Sequence, residues 1–376
     1  MYLVENDDNN KIFIQIASYR DPELVPTIKS CLENADFPEN LVFGICWQHD
    51  ENECLNDFIN DERFKIISIN YMKSQGCCWA RNKVQQLYEN EKYTLQLDSH
   101  HRFIKGWDTT LINMYNQLKE KGFEKPLITT YLPSYNPEND PEERVLIPWK
   151  IDLKEITKEK QVLFIPSNID NFENLFEPVV ANFYSAHFAF TTGLFVKEVP
   201  HDPELYFIGE EMSITVRAFT YGYSLFHPHI VIAWHEYTRK NRPKHWDDDK
   251  NWWKKDSYSK SHYLNVFSNY DVYGIGKQKT IEDYIEFSGI HFLETNNDIL
   301  KEYNFIIEIP EIEKFTFIFI GFEDVNGKLL HRIDLICYSK TLEVSFKSID
   351  VPYKWVYWPV VNNEWVNKKD FLLHLK

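Results

Sequence analysis

Asp98, Ser99 and His100 follow directly on a short apolar run, Tyr93 to Leu97 (YTLQL). Such a run reads as a buried β-strand. It delivers a carboxylate and, two residues later, an imidazole to the carboxyl end of that strand. Side chains at i and i+2 of an extended chain point the same way. An oxygen and a nitrogen donor so placed suit Mn²⁺ or another divalent ion held jointly with phosphate oxygens. An ion of that kind offsets the charge that builds on a departing diphosphate. An Asp-x-His triplet is also what an ordinary turn with a capping Asp and a surface His looks like, so its weight depends on its company.

Three further groups of reactive residue types share the chain. Ser18-Tyr19-Arg20-Asp21 follows an apolar run, Gly76 to Asn82 (GCCWARN) opens a helical pattern just before the Asp98 strand, and Gly209-Glu210-Glu211 opens another. A late Trp234-His235-Glu236-Tyr237 comes after them. Each has a plain structural explanation. Arg20 and Arg81 could pair with neighbouring carboxylates, two glutamates at a helix start are favoured by the macrodipole, and His235 beside Trp234 could be a core histidine.

The elements that must position these residues alternate along the first 130 or so positions. Lys11 to Ala17, Leu41 to Trp47, Phe64 to Ile69, Tyr93 to Leu97 and Pro126 to Leu132 read as strands. Helical spacing appears from Leu24 to Leu32, from Gly76 to Tyr88 and from Trp107 to Leu118. This βαβ rhythm predicts a mostly parallel sheet with helices on both faces, and ligands then bind beyond the carboxyl ends of the strands. Val145 to Pro166 reads as a hairpin, Glu210 to Tyr221 and Ile281 to Phe292 as helices, and Tyr223 to Phe226 and Ile230 to Trp234 as short strands. Arg239 to Lys260 mixes clustered charge with tryptophans and shows little apolar periodicity, so a long mobile loop is expected there. After about residue 300 the texture turns to β-rich runs separated by turns, one of them Asn326-Gly327, a strong hairpin signal. The expected organisation is α/β: a catalytic domain over 1–300, then a small antiparallel β-domain over 301–376.

Composition narrows the function classes. The 376 residues carry 41 basic and 57 acidic side chains, a formal charge of −16. That balance argues against a chain that wraps nucleic acid, which needs surplus Lys and Arg, and against electrostatic docking on anionic membrane. Apolar residues make up 43% and aromatics 16%, enough to bury a core. The polar, acidic first ten residues do not resemble a signal peptide, and no apolar run approaches the ~20 residues that span a bilayer. The six cysteines (31, 46, 54, 77, 78, 337) include no Cys-x-x-Cys pair. A reducing, cytoplasmic setting is expected. Oligomeric state is not legible.

The order Ser-Tyr-Arg-Asp, Ala-Arg-Asn, Asp-x-His, Glu-Glu and a late His resembles the GT-A nucleotide-sugar glycosyltransferases. The stretches Ile16 to Leu24 (IASYRDPEL), Ala80-Arg81-Asn82, Leu97 to Phe103 (LDSHHRF) and His235 to Arg239 (HEYTR) resemble more specifically one family. Its eukaryotic members add GlcNAc to hydroxyproline on a cytoplasmic ubiquitin-ligase adaptor. The resemblance spans about Lys11 to Arg239. It implies a GT-A type (Rossmann-like) domain and a retaining, metal-dependent transfer from UDP-GlcNAc, with Mn²⁺ or Mg²⁺, to a protein or glycan acceptor. Asp98, His100 and His235 would hold the metal. Ser18, Tyr19 and Arg20 would cradle the uridine, and Arg81 and Asn82 would face the nucleotide or donor sugar. Glu210 and Glu211 would lie by the reacting sugar as candidate catalytic groups, and Arg239, with Lys240 and Arg242, would close over the diphosphate. A catalytically dead sugar- or nucleotide-binding protein is the alternative that the same fold allows.

Overall fold

In a computed structural model of the chain, residues 10–238, 240, 242–293, 301–311, 315, 317–325, 327, 329–335, 340–348, 351–361 and 364–373 are described. The chain divides into two compact units, the boundary in sequence falling between Phe292 and Leu293.

The larger unit is built on strands β1 (Ile12–Tyr19), β2 (Leu41–His49), β3 (Phe64–Asn70), β4 (Tyr93–Leu97), β5 (His101–Phe103), β6 (Pro126–Thr129), β7 (Trp149–Ile156), β8 (Val162–Asn168), β9 (Val179–Val180), β10 (Phe188–Thr192), β11 (Ser224–His227) and β12 (Ala233–His235). Its helices are α1 (Leu24–Asn34), α2 (Cys77–Gln85), α3 (Trp107–Glu120), α4 (Phe195–Glu198), α5 (Glu210–Thr220), α6 (His245–Asp248), α7 (Trp252–Tyr263) and α8 (Ile281–Ser288). Eight strands form one sheet in the order β3-β2-β1-β4-β10-β6-β11-β9. The β3-β2-β1-β4 half is parallel, as the alternating rhythm predicts. The other half is mixed, because β10 runs antiparallel to both β4 and β6, and β9 antiparallel to β11. The larger unit is thus mixed α/β, one half of its sheet parallel and the other carrying antiparallel strands.

Alternation along β1 explains the layers. Ile12, Ile14 and Ile16 pack with Ile28 and Cys31 of α1 and Leu111 of α3. Phe13, on the opposite face, packs with Cys46 of β2 and Ala80 and Val84 of α2. Helices therefore cover both faces of the parallel half. The core does not close over the carboxyl ends of β1 and β4, and the polar motifs emerge there.

Two small features bring those motifs together. β5 pairs antiparallel with β12, which sets His101 opposite His235. Thr27 of α1 is fully buried, and its hydroxyl donates to Ser99 C=O at 3.0 Å and accepts from the His101 N–H at 2.8 Å. The turn carrying Asp98 and His100 is thus clamped between a helix and a two-stranded ribbon.

The segment expected as a long loop is different. After Arg239, which lies outside the described residues, α6 and α7 form. The periodicity is weak because only Ser259 and Tyr263 of α7 are buried. Specific polar contacts hold it instead: Ser259 Oγ accepts from Tyr206 N–H at 2.9 Å, and His262 lies 2.7 Å from Asp202. Gly209 belongs to the same packing. Its φ is +97°, and a Cβ there would sit 2.6 Å from the Tyr263 ring.

The smaller unit consists of β13 (Lys301–Glu308), β14 (Phe317–Glu323), β15 (Leu329–Leu335), β16 (Thr341–Ser348), β17 (Lys354–Val361), β18 (Glu364–Trp365) and β19 (Lys369–Leu372). β13 and β16 form one antiparallel sheet, and β15-β14-β17, with β18 and β19 along β17, form the other. Ile307 and Val344 of the first share a core with Ile320, Phe322 and Tyr357 of the second. Asn326 and Cys337 lie outside the described residues.

Replacing Thr27 with the isosteric Val keeps the packing but leaves the Ser99 carbonyl and the His101 N–H unpaired. Two lost buried hydrogen bonds should cost about 2 kcal/mol, read as a lower denaturant midpoint at unchanged m-value. Wild-type stability in Thr27→Val would refute the clamp.

Candidate active site

A cleft of about 900 Å³ opens beyond the carboxyl ends of β1 and β4. Asp98, His100 and His235 meet on its wall, and one donor atom from each lies within 4.8 Å of the others. His235 Nε2 is 3.4 Å and His100 Nε2 is 3.7 Å from Asp98 Oδ2. His100 Nε2 is buried and has no hydrogen-bond partner among the described residues. Its other ring nitrogen, Nδ1, lies 2.8 Å from the Asp21 carboxylate. That pairing fixes a tautomer with the Nε2 lone pair turned toward Asp98 and His235, the carboxylate–histidine support seen behind metal ligands. Burial holds His235 well below its usual pKa, so it is neutral and able to ligate. An orphaned imidazole nitrogen beside a second neutral imidazole and a carboxylate fits a divalent ion. Two nitrogen donors favour Mn²⁺ over Mg²⁺, which prefers oxygen.

Asp21 is absent from the site residues that the sequence suggested. It is buried, and its Oδ2 accepts from Ser99 Oγ at 2.8 Å and from Arg242 Nη1 at 2.9 Å as well as facing His100. Burial works against its charge, but His100 and Arg242 together pull its pKa below the usual carboxylate range. Its aim follows from Arg20, whose φ of +46° turns the chain sharply as β1 ends. A non-glycine residue in that region costs on the order of 1 kcal/mol. The signal available in the sequence was the position of Asp21 just past a strand's carboxyl end.

Arg81 lies between two acids. Nη2 donates to Asp98 Oδ1 at 2.6 Å, and Nη1 is paired with Glu210 Oε1. His201 Nδ1 lies 2.9 Å from the same Glu210 oxygen. Burial would raise both carboxylates, but His235 and Arg81 hold Asp98 well below its ordinary pKa, and Arg81 and His201 lower Glu210. The adjacent Glu211 behaves differently. It accepts from Tyr131 O–H at 2.6 Å and from Ala186 N–H at 2.9 Å. Among the described residues no cation pairs with it, and burial raises its pKa to about 7. Tyr131, just beyond β6, is a second residue that sequence reasoning missed.

The expected nucleotide-binding residues separate. Tyr19 lines the cleft, its ring against His245 and its hydroxyl donating to Asp248 at 2.8 Å. Arg20 leans out, pairing with Asp248 at 2.9 Å and Asp50 at 3.2 Å and lying over Tyr71. Ser18 is fully buried away from the lining. The Asn82 carboxamide is taken up by His201 C=O at 2.8 Å and Tyr273 O–H at 3.3 Å. Lys240 pairs with Glu138 at 2.9 Å on the surface, whereas Arg242 and Lys244 line the cleft.

Two outcomes follow. Asp21→Asn should weaken Mn²⁺ binding about 10- to 100-fold, measured by paramagnetic resonance titration without nucleotide; unchanged affinity would show that Asp21 does not orient His100. Glu211 binds a proton more tightly folded than unfolded, so its contribution is fully present below pH ~4.5 and is lost as pH rises through about 7. Glu211→Gln should therefore gain stability relative to wild type at pH 8, by roughly 1–3 kcal/mol, but not at pH 4. A difference that does not change with pH would contradict this.

No curated protein sequence matches the chain. Among solved structures, GalNAc-T7 with UDP, GalNAc and Mn²⁺ superposes with TM-score 0.46 at 14% identity, over 74% of this chain and 55% of that one. TarS of S. aureus superposes with TM-score 0.39 at 12% identity, over 96% and 77% of the two chains. Its 1–349 fragment with UDP-GlcNAc gives 0.38 at 14%, over 65% and 64%. The chain thus spans little more than half of GalNAc-T7. The sequence itself matches the family model described as Glycosyltransferase (GlcNAc) over residues 11–60 and 55–294. With well over half its length matched, the chain belongs to that glycosyltransferase family.

Proposed function

We propose that this glycosyltransferase moves GlcNAc from UDP-GlcNAc to a hydroxyl of a protein or peptide acceptor, of the hydroxyproline, Ser or Thr type, with Mn²⁺ and with retention at the anomeric carbon. The observation that carries the reading is the Asp98, His100 and His235 cluster, backed by Asp21, on the wall of a cleft large enough for a nucleotide sugar. When bound, the ion would supply Lewis-acid stabilisation of the leaving diphosphate.

The chain's own residues divide the remaining work. Tyr19 flanks the nucleoside end of the cleft and Lys244 the diphosphate, while Arg242, paired with Asp21 and Glu236, holds the support behind His100. Arg81 fixes the Asp98 carboxylate and keeps Glu210 ionised. Glu210, held by Arg81 and His201, acts as a positioning group. Both oxygens of Glu211 accept hydrogen bonds, and its raised pKa makes it a weak nucleophile at neutral pH. These features favour attack from the donor's leaving-group face. The acceptor oxygen bonds to the anomeric carbon as the bond from that carbon to the diphosphate oxygen breaks, and the hydroxyl proton passes to the departing diphosphate. Cys31, Cys46 and Cys78 are buried free thiols, in keeping with a reducing, cytoplasmic setting. Among the described residues no helix is long and apolar enough to cross a membrane.

Purified protein with Mn²⁺ and a panel of UDP-, GDP- and CMP-sugars should release nucleotide from UDP-GlcNAc in preference to the others. Chelator should abolish the release, and Asp98→Asn should reduce it at least about a hundredfold. Preference for another donor would refute the GlcNAc assignment, and absence of both UDP binding and release would refute the nucleotide-sugar reading.

A further inference from the structure

The β7–β8 hairpin has one edge tied to the body of the domain and one edge open. On the β7 side, Thr130 Oγ1 donates to Trp149 C=O, and Ile151 N–H donates to His227 Nε2 at 3.4 Å. Those backbone groups point away from β8. Backbone direction alternates along an antiparallel pair, so residues opposite such positions turn their own groups outward on the far side. Pro166 is opposite Ile151, and Phe164 is opposite Leu153. The β8 edge therefore presents Phe164 N–H, Phe164 C=O and Pro166 C=O. Pro166 supports this orientation, because a proline inside a ribbon is tolerated where the missing N–H would face off the edge. Among the described residues, no strand pairs with this edge and no backbone hydrogen bond reaches these groups.

The same stretch is continuous with the active site. Leu163, Phe164 and Pro166, with Trp149, line the cleft that holds Asp98, His100 and His235. Ile165, between them, is 46% exposed. The hydroxyls of a saccharide acceptor are bound by carboxylates, amides and hydroxyls. Leu163 to Pro166 offers none of these as side chains, but it does offer apolar surface and unpaired backbone groups, the two things an extended peptide uses.

We propose that the free edge of β8 is the acceptor site, and that the acceptor is a polypeptide segment that adds as a third, extended strand. Apolar side chains flank its reacting hydroxyl. This rests on the transferase reading above and assigns its polypeptide acceptor a place, the free edge of β8, and an extended conformation.

The test uses the wild-type full chain with UDP-GlcNAc and Mn²⁺, reading UDP release and acceptor labelling separately. The acceptors are nine-residue peptides with a central Ser, Thr or hydroxyproline, flanked by Val, Ile and Phe or by Asp and Lys, together with a panel of oligosaccharides. Apolar-flanked peptides should show at least about tenfold higher kcat/KM than charged ones. Backbone N-methylation at one alternating set of amides should lower transfer about tenfold or more through KM, while methylation of the other set costs little, because only one set faces the added strand. Transfer to oligosaccharides alone, UDP release with transfer to neither class, or equal tolerance of both methylation patterns would overturn the proposal while leaving donor use intact. Failure to release UDP with every acceptor, together with no UDP binding, would instead overturn the transferase reading and this proposal with it.

Discussion

The site depends on one buried carboxylate. Asp21 receives His100, Ser99 and Arg242 on a single oxygen, while its other oxygen accepts the Glu23 N–H at 2.9 Å at the start of α1. A buried charge is expensive unless its partners satisfy it fully, and here they do. The consequence reaches four separate elements at once: the end of β1, the β4–β5 turn, the start of α1 and the segment leading to α6. Taking the charge away would leave the Arg242 guanidinium, itself buried against Glu236, with only half its partners.

Arg81 plays the complementary part from the other side of the cleft. It is a buried cation satisfied by Asp98 and Glu210, and His201 lies against Glu210 in turn. Asp98 is thus set between Arg81 on one oxygen and the two imidazoles on the other. The neighbouring glutamates show how far environment decides chemistry. Glu210 and Glu211 are one residue apart on α5, yet one is held ionised by a guanidinium and the other, given only neutral donors, is raised to about 7.

Much of this was legible in the sequence where local pattern suffices. The β4 strand begins and ends where YTLQL does, and α1, α2, α3 and α5 follow their apolar spacing closely, because each packs one side against the sheet. Direction was not legible: Phe188–Thr192 is a short apolar run, and such a run carries no information about whether it pairs parallel or antiparallel. The two helices after residue 244 were missed because polar contacts rather than an apolar stripe hold them. Asp98 and His100 could be paired from their spacing. The approach of His235 depends on β5 and β12, three residues each, too short to leave a periodic trace. The role of Asp21 was hidden for a related reason: a hydrogen bond across 79 residues of sequence has no local signature.

The charge of the cleft bears on how an acidic chain can take an anionic donor. Its lining holds four carboxylates, Asp21, Asp98, Glu210 and Glu211, against four cations, Arg81, Lys154, Arg242 and Lys244. Two of those cations are already committed, Arg81 to Asp98 and Glu210, and Arg242 to Asp21 and Glu236. Little positive potential is left for a diphosphate, and the chain's net −16 adds repulsion from the surroundings. On the proposed reading, the side chains do not neutralise the donor; they hold Asp98, His100 and His235 so that a divalent ion can. This accounts for the direction of the local design. The carboxylates and guanidiniums are arranged to cancel each other and, on that reading, to fix three ligands rigidly, which is a different solution from a cationic pocket built of lysines and arginines facing the ligand.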